Sequence, residues 1–252
     1  MRLYVLDLGR SEIDLGIGPT PGPGGGRRVL TPVVGYLIQT GAGMNILVDT
    51  GMNRRHIADP FATIRGRPIA EKLTPIMRPE DDVLARLGQV GLTAQDVHVL
   101  VCTHFHFDHA GNLADFGASR LLAQRACYEH AMTVGQALPE LYDQPHLRYE
   151  LLDGDTDIAA GVRLLQTPGH VPGHQSVMVR LPRTGTVVLA IDAILSQESL
   201  DADNFQFSAD PDCARVSARR LVDMAGREAG LLVFGHDPAQ WETLRKAPEY
   251  YD

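Results

Sequence analysis

The sequence predicts an α/β fold in which two sheets are covered by helices, and three observations carry this expectation. Apolar, strand-like runs recur along most of the 252 residues. Helical spacing interrupts them twice, at residues 79–92 and 210–230. Hydrophobic residues make up 44% of the chain, enough for a sizeable core in one large domain or two small ones.

The elements follow in order. "VVGYLIQT" (33–40) and "NILVDTG" (45–51) read as strands around the turn signal Gly41-Ala42-Gly43, which makes them a hairpin. "PEDDVLARLGQVGL" (79–92) places Val83, Leu84, Leu87 and Val90 at helical spacing, with acids at its start and Gly91 near its end. "VHVLVCTH" (97–104) is a run of buried-strand type, with Cys102 in its core. "GVRLLQTPG" (161–169) and "GTVVLAID" (185–192) are strands again. "DPDCARVSARRLVDMAGREAG" (210–230) is a helix of about four to five turns, followed by the strand "LLVFGHD" (231–237). The glycine- and proline-rich stretch "GIGPTPGPGGGRR" (16–28) predicts a surface loop, with a flap over a substrate as the alternative. It lacks the GK[ST] of a phosphate-binding loop.

Composition excludes several classes. A formal charge of −8 without a basic stripe argues against nucleic acid as a partner and favours a small or neutral substrate. No run approaches the length of a membrane span, and Asp7 interrupts the N-terminus before a signal-peptide core forms, so no membrane and a cytoplasmic location are expected. Cys102, Cys127 and Cys213 are odd in number and scattered, giving neither a disulfide framework nor a cysteine zinc site. A metal must then be held by histidine and carboxylate.

"THFHFDHAGN" (103–112) supplies such ligands at the carboxyl end of a strand. In an extended segment His104 and His106 point the same way and can share one metal, while Asp108 and His109 turn towards a second. The remaining ligands must come from distant strand ends: His170 in "TPGH", Asp192 in "LAID" and His236 in "VFGHD". Gly169 and Gly235 beside two of them let backbones approach closely. Imidazoles with a carboxylate suit zinc first, with iron, manganese or cobalt as alternatives.

These motifs resemble the metallo-β-lactamase superfamily, through HxHxDH, the later His170, Asp192 and His236, and "LVDTGM". "HFHFDHAGN", "TPGHVPGHQS", "IDA", "FGHD" and "PEYY" resemble its N-acyl-homoserine lactone lactonase branch, the quorum-quenching lactonases, over nearly the whole chain. The resemblance implies an αββα sandwich with a dinuclear metal site at one edge, one hydrolase domain over 1–252. Two divalent ions are implied: His104, His106 and His170 on the first, Asp108, His109 and His236 on the second, Asp192 bridging. A hydroxide shared by the ions would open a lactone ring, with Asp108 passing a proton to the leaving alkoxide. Relatives in this branch often dimerise, which leaves a homodimer open.

Among the neighbours, Asp49 is expected to orient a ligand imidazole or to stabilise its turn. His174 is expected as a buried, hydrogen-bonded histidine, and His56, His98, His130 and His146 as structural or exposed. Phe105 and Phe107 read as packing residues, with Phe107 also able to line an acyl pocket. One departure concerns substrate binding: the branch typically carries a tyrosine three positions after the bridging aspartate, where this chain has Leu195. Leucine cannot donate to an oxyanion, so the metals suffice, Ser196 substitutes, or the substrate is another lactone. A glyoxalase II-like thioesterase is the next reading, weakened by the lack of a basic C-terminal helical extension. β-Lactamase, nuclease and a metal-stabilised interaction protein fit less well.

Overall fold

The computed structural model describes residues 1–14, 27–134 and 139–252. Strands β1 (Arg2–Asp14), β2 (Arg28–Gln39), β3 (Asn45–Val48), β4 (Leu73–Ile76), β5 (Val99–Val101), β6 (Arg120–Gln124) and β7 (Tyr149–Leu152) form one sheet, in the order β4-β1-β2-β3-β5-β6-β7. Strands β8 (Thr156–Ala159), β9 (Val162–Gln166), β10 (Gln175–Leu181), β11 (Gly185–Ile191) and β12 (Leu231–Phe234) form a second, in the order β12-β11-β10-β9-β8. The α-helices of the described residues are α1 (Val83–Gln89), α2 (Arg125–Val134), α3 (Pro139–Tyr142), α4 (Gln197–Asp201), α5 (Pro211–Arg227) and α6 (Pro238–Thr243).

Side-chain alternation builds the layers. In β1, Leu3 and Val5 enter the apolar layer between the sheets, while Tyr4, Leu6 and Leu8 face outward. In β5, Val99 and Val101 point inward and Leu100 outward. Both faces of these strands are thus buried, which is why they read as continuous apolar runs. Val83 and Leu87 of α1 and Cys127 and Ala131 of α2 cover the outer face of the first sheet. Ala214, Ala218, Leu221 and Ala225 of α5, at helical spacing, pack on Leu165, Met178, Val188 and Ala190 of the second. The result is an αββα sandwich.

The expected hairpin is present: β2 and β3 pair antiparallel, Tyr36 opposite Val48 and Gln39 opposite Asn45. Its first strand starts earlier than the sequence suggested, because Arg28 already pairs with Asp14. The rest of the glycine- and proline-rich stretch, apart from Arg27, lies outside the described residues. Helix α5 spans 17 residues, close to its expected length. The helix expected over 79–92 is shorter: Asp82 caps it through Leu84 N, and a separate 3-10 turn, Pro79–Asp81, precedes it. Among the described residues no helix is long and apolar enough to cross a membrane.

Strand direction positions the site. β3 and β5 run parallel, as do β11 and β12, and β9 runs antiparallel to β10 as β11 does. The carboxyl ends of β3, β5, β9, β11 and β12 release the chain into the loops that carry Asp49, His104 to His109, His170, Asp192 and His236.

Candidate metal centre

The loop after β5 is sewn to the loop after β3. Thr50 N and Thr50 Oγ1 donate to the His109 carbonyl (2.8 and 3.1 Å), and Gly111 N donates to the Gly51 carbonyl (2.9 Å). Buried Asn112 donates through Nδ2 to the carbonyls of Thr50 and Met52 (2.9 and 2.7 Å). These bonds satisfy backbone groups that a buried loop would otherwise leave unpaired. His104, Asp108 and His109 are thereby buried, while His106 and Phe107 are half-buried.

The loop after β9 is held by the start of α5. Asp210 N donates to Gly169 O (2.9 Å), Ala209 N to His170 O (3.0 Å) and Ser217 Oγ to Pro168 O (2.6 Å). Gly169 has φ +130°, and a Cβ there would sit 2.2 Å from Ala214 N, so only glycine fits before His170. At Gly235 a Cβ would lie 2.5 Å from the Ile191 carbonyl, which is how β12 brings His236 beside Asp192.

Two groups of donors result: His104, His106, His170 and Asp192 in one, Asp108, His109 and His236 in the other. In the first, His106 Nδ1 is 3.0 Å from both His104 Nε2 and His170 Nε2. Asp192 Oδ2 lies 3.7 and 3.2 Å from those same two Nε2 atoms. In the second, Asp108 Oδ2 is 3.9 Å from His109 Nε2 and from His236 Nε2. Asp192 Oδ1 lies 3.3 and 3.1 Å from those two nitrogens. One carboxylate therefore presents a different oxygen to each group.

The donors fit divalent ions. Zinc–nitrogen distances of about 2.0–2.1 Å in a tetrahedron put neighbouring ligand atoms roughly 3.3 Å apart, and the spacings above scatter around that value. His109 Nε2 and Asp192 Oδ1 are shut off from solvent, yet neither has a well-directed hydrogen-bond partner among the described residues. Buried polar atoms rarely go unpartnered, and two that converge on a common point suit a cation.

Three of the rings, His104, His109 and His236, are oriented from their far side. Asp49, fully buried after β3 with φ +60°, accepts from His109 Nδ1 (2.8 Å), Thr103 N (2.8 Å) and Thr103 Oγ1 (2.7 Å). Thr103 Oγ1 is in turn 3.1 Å from His104 Nδ1. One carboxylate thus aims a histidine of each group, the first of the two roles expected for it. His236 Nδ1 donates to the Pro32 carbonyl (2.8 Å).

The charges are balanced within the cluster. Burial holds His104 and His170 well below the usual imidazole range, hence neutral. Burial opposes charge on His109 and His236, but the carboxylates around them, Asp192 first and then Asp108, joined at His109 by Asp49, together outweigh it and raise both, His236 to about 9. Burial alone would raise Asp192, yet the charges on His236 and His109 hold it well below the carboxylate range.

The 28–236 segment matches the family model described as the metallo-beta-lactamase superfamily. The chain belongs to that superfamily. It is 35% identical, over 99% of its own length and 98% of the relative's, to the N-acyl homoserine lactonase AiiA of Bacillus thuringiensis subsp. kurstaki. It is 32% identical to the N-acyl homoserine lactonase AttM of Azorhizobium caulinodans, covering 100% of this chain and 99% of that one. Its fold superposes, with a TM-score of 0.91 and 33% identity over 99% and 98% of the two chains, on an N-acyl homoserine lactone hydrolase. That structure has the product N-hexanoyl-L-homoserine bound at its catalytic metal centre.

The other sequence-singled residues fall around the cluster. Phe107 packs against buried His56, ring centroids 5.8 Å apart, and His56 is held by the Pro60 carbonyl and Thr63. Leu195 is half-buried, and its carbonyl accepts from His236 N (2.8 Å). Ser196 caps α4, accepting from Ser199 N (3.1 Å). His98 and His146 are exposed, and His130 is half-buried. Thr103 and Asn112 were missed as supports. Both stand inside "THFHFDHAGN", but nothing local in that string shows that their partners lie more than fifty residues away.

Two outcomes are expected. Replacing Asp49 by Ala leaves His109 Nδ1 and Thr103 without their acceptor and should weaken zinc binding about 10- to 100-fold, measured by chelator competition. Unchanged affinity would remove Asp49 from the account. In metal-free protein His109 and His236 carry protons that zinc must displace, so affinity should rise with pH, about tenfold per unit for each proton displaced, until His236 is neutral above about 9. Chelator titrations over that interval showing a flat affinity would contradict the charge assignment.

Proposed function

We propose that the protein is a dinuclear metal-dependent hydrolase that opens N-acyl-homoserine lactones. The observation that carries this is Asp192, whose two oxygens serve two groups of histidines. End-to-end identity with N-acyl homoserine lactonases supports the substrate class. His104, His106 and His170 would hold one ion and Asp108, His109 and His236 the other, with Asp192 shared. Two divalent ions, zinc first and iron, manganese or cobalt as alternatives, would supply Lewis acidity and lower the pKa of water.

The chain's own residues then do the rest. Asp49 and the Pro32 carbonyl keep the rings of His109 and His236 turned so that each Nε2 faces the centre. Water oxygen adds to the lactone carbonyl carbon and the ring C–O bond breaks. Asp108, buried and facing both His109 and His236, is placed to take a proton from the attacking water and hand it to the departing ring oxygen, giving an alcohol and a carboxylate. Phe107 offers an apolar wall for the acyl chain, braced by His56. Leu195 contributes apolar surface where a phenol would donate, and the hydroxyl of Ser196 is engaged in the cap of α4. Neither side chain is free to donate to the developing oxyanion, whose charge the Lewis acidity of bound ions would have to offset.

Leu195 also motivates the second reading, a lactone of a different kind. We read residues 1–252 as one hydrolase domain, because strands of both sheets share one apolar layer and the match covers 98% of the relative AiiA.

Hydrolysis of N-hexanoyl-homoserine lactone in ¹⁸O-water should place the label in the product carboxylate, read by mass spectrometry. Label in the alcohol, or no turnover of any acyl-homoserine lactone by metal-replete protein, would overturn the reading. Leu195→Tyr should add a donor worth roughly 1–3 kcal/mol, or about five- to over a hundred-fold in kcat/KM on these lactones. A variant that is no faster on any of them, and slower on another lactone, would establish the second reading instead.

A further inference from the structure

The bridging carboxylate has a support problem. Asp192 follows Ile191, whose backbone is left-handed at φ +53°, a costly conformation for a β-branched residue. Gly235 approaches so closely that a Cβ there would stand 3.0 Å from Asp192 Oδ1. The groups that face the carboxylate oxygens are histidines of the two donor groups. The direction of the carboxylate must then be set through its backbone.

The Asp192 N–H donates to His174 Nε2 at 3.2 Å. A backbone amide can only donate, so Nε2 carries no proton and the hydrogen of the ring sits on Nδ1. Nδ1 lies 3.2 Å from the Thr167 carbonyl and 2.9 Å from Thr167 Oγ1. Thr167 Oγ1 is 2.8 Å from Ser176 Oγ, which donates to the Ala190 carbonyl (2.9 Å). The ring is fully buried, and Thr167 N donates to the His174 carbonyl (2.8 Å). His174 thus spans from the ends of β9 and β10 to the first residue beyond β11, with both nitrogens committed.

We propose that His174 is the positioning residue of the Asp192 bridge: by accepting the Asp192 N–H it fixes which carboxylate oxygen faces each group of histidines. It belongs to neither group of donors. This rests on the dinuclear reading above, and its test separates the two. A phenylalanine at 174 keeps the ring's bulk but has no acceptor; a glutamine keeps an acceptor and a donor.

The full-length chain, its His174→Gln variant and its His174→Phe variant are titrated with manganese(II) alone and followed by electron paramagnetic resonance. Wild type should bind a spin-coupled pair. The phenylalanine variant should bind the second ion about 10- to 100-fold more weakly and lose the coupling, and the glutamine variant should recover most of both. Wild-type affinity and coupling in the phenylalanine variant overturn the role of His174, as does a glutamine variant no better than phenylalanine. A wild-type chain that binds one ion only overturns the dinuclear reading itself. If the phenylalanine variant does not fold, ¹⁵N-histidine spectra of zinc-loaded wild type decide: a proton on Nδ1 of His174 is expected, and a proton on Nε2 overturns the proposal.

Discussion

The Asp192 carboxylate, facing two groups of histidines at once, is the constraint on which the rest of the site depends. Bringing buried imidazoles and carboxylates together costs desolvation energy unless they are paired or bind a cation. In the protein alone, the protons on His109 and His236 are held by the surrounding carboxylates, Asp192 first and then Asp108. Two cations would take over that balance, and the same concentration of donors that makes the cluster costly makes it a metal site.

Rigid elements hold this arrangement from behind. Asp49 aims His109 directly and His104 through Thr103. The start of α5 grips the loop of His170, and the Pro32 carbonyl of β2 steadies His236. The supports come from the loop after β3, from within β2 and from the region of α5, so the centre draws on separate parts of the fold. The catalytic edge and the hydrophobic layers are therefore parts of one packing problem.

Much of this was legible in the sequence, for physical reasons. The strands that lead to the proposed ligands are mostly buried, so they read as apolar runs, and the proposed ligands stand in the loops just after them. What lay hidden was non-local or mixed in pattern. β1 carries Asp7, Arg10, Glu12 and Asp14 and shifts register between Asp7 and Arg10, so no clean period survives. β7 and β8 are four-residue strands at sheet edges with half-exposed, partly polar residues. Asp49 could be suspected, but the Thr103 link that extends its reach to His104 spans 54 positions. His174 was legible as a buried, bonded ring; its bond to Asp192 was not.

The account stands or falls on whether two ions share Asp192. Anomalous diffraction at the zinc edge, from crystals of the zinc-loaded protein, measures this directly. The structure predicts two peaks per chain, one among His104, His106 and His170 and one among Asp108, His109 and His236, with a different Asp192 oxygen on each. A single peak, or both Asp192 oxygens on one ion, would contradict it.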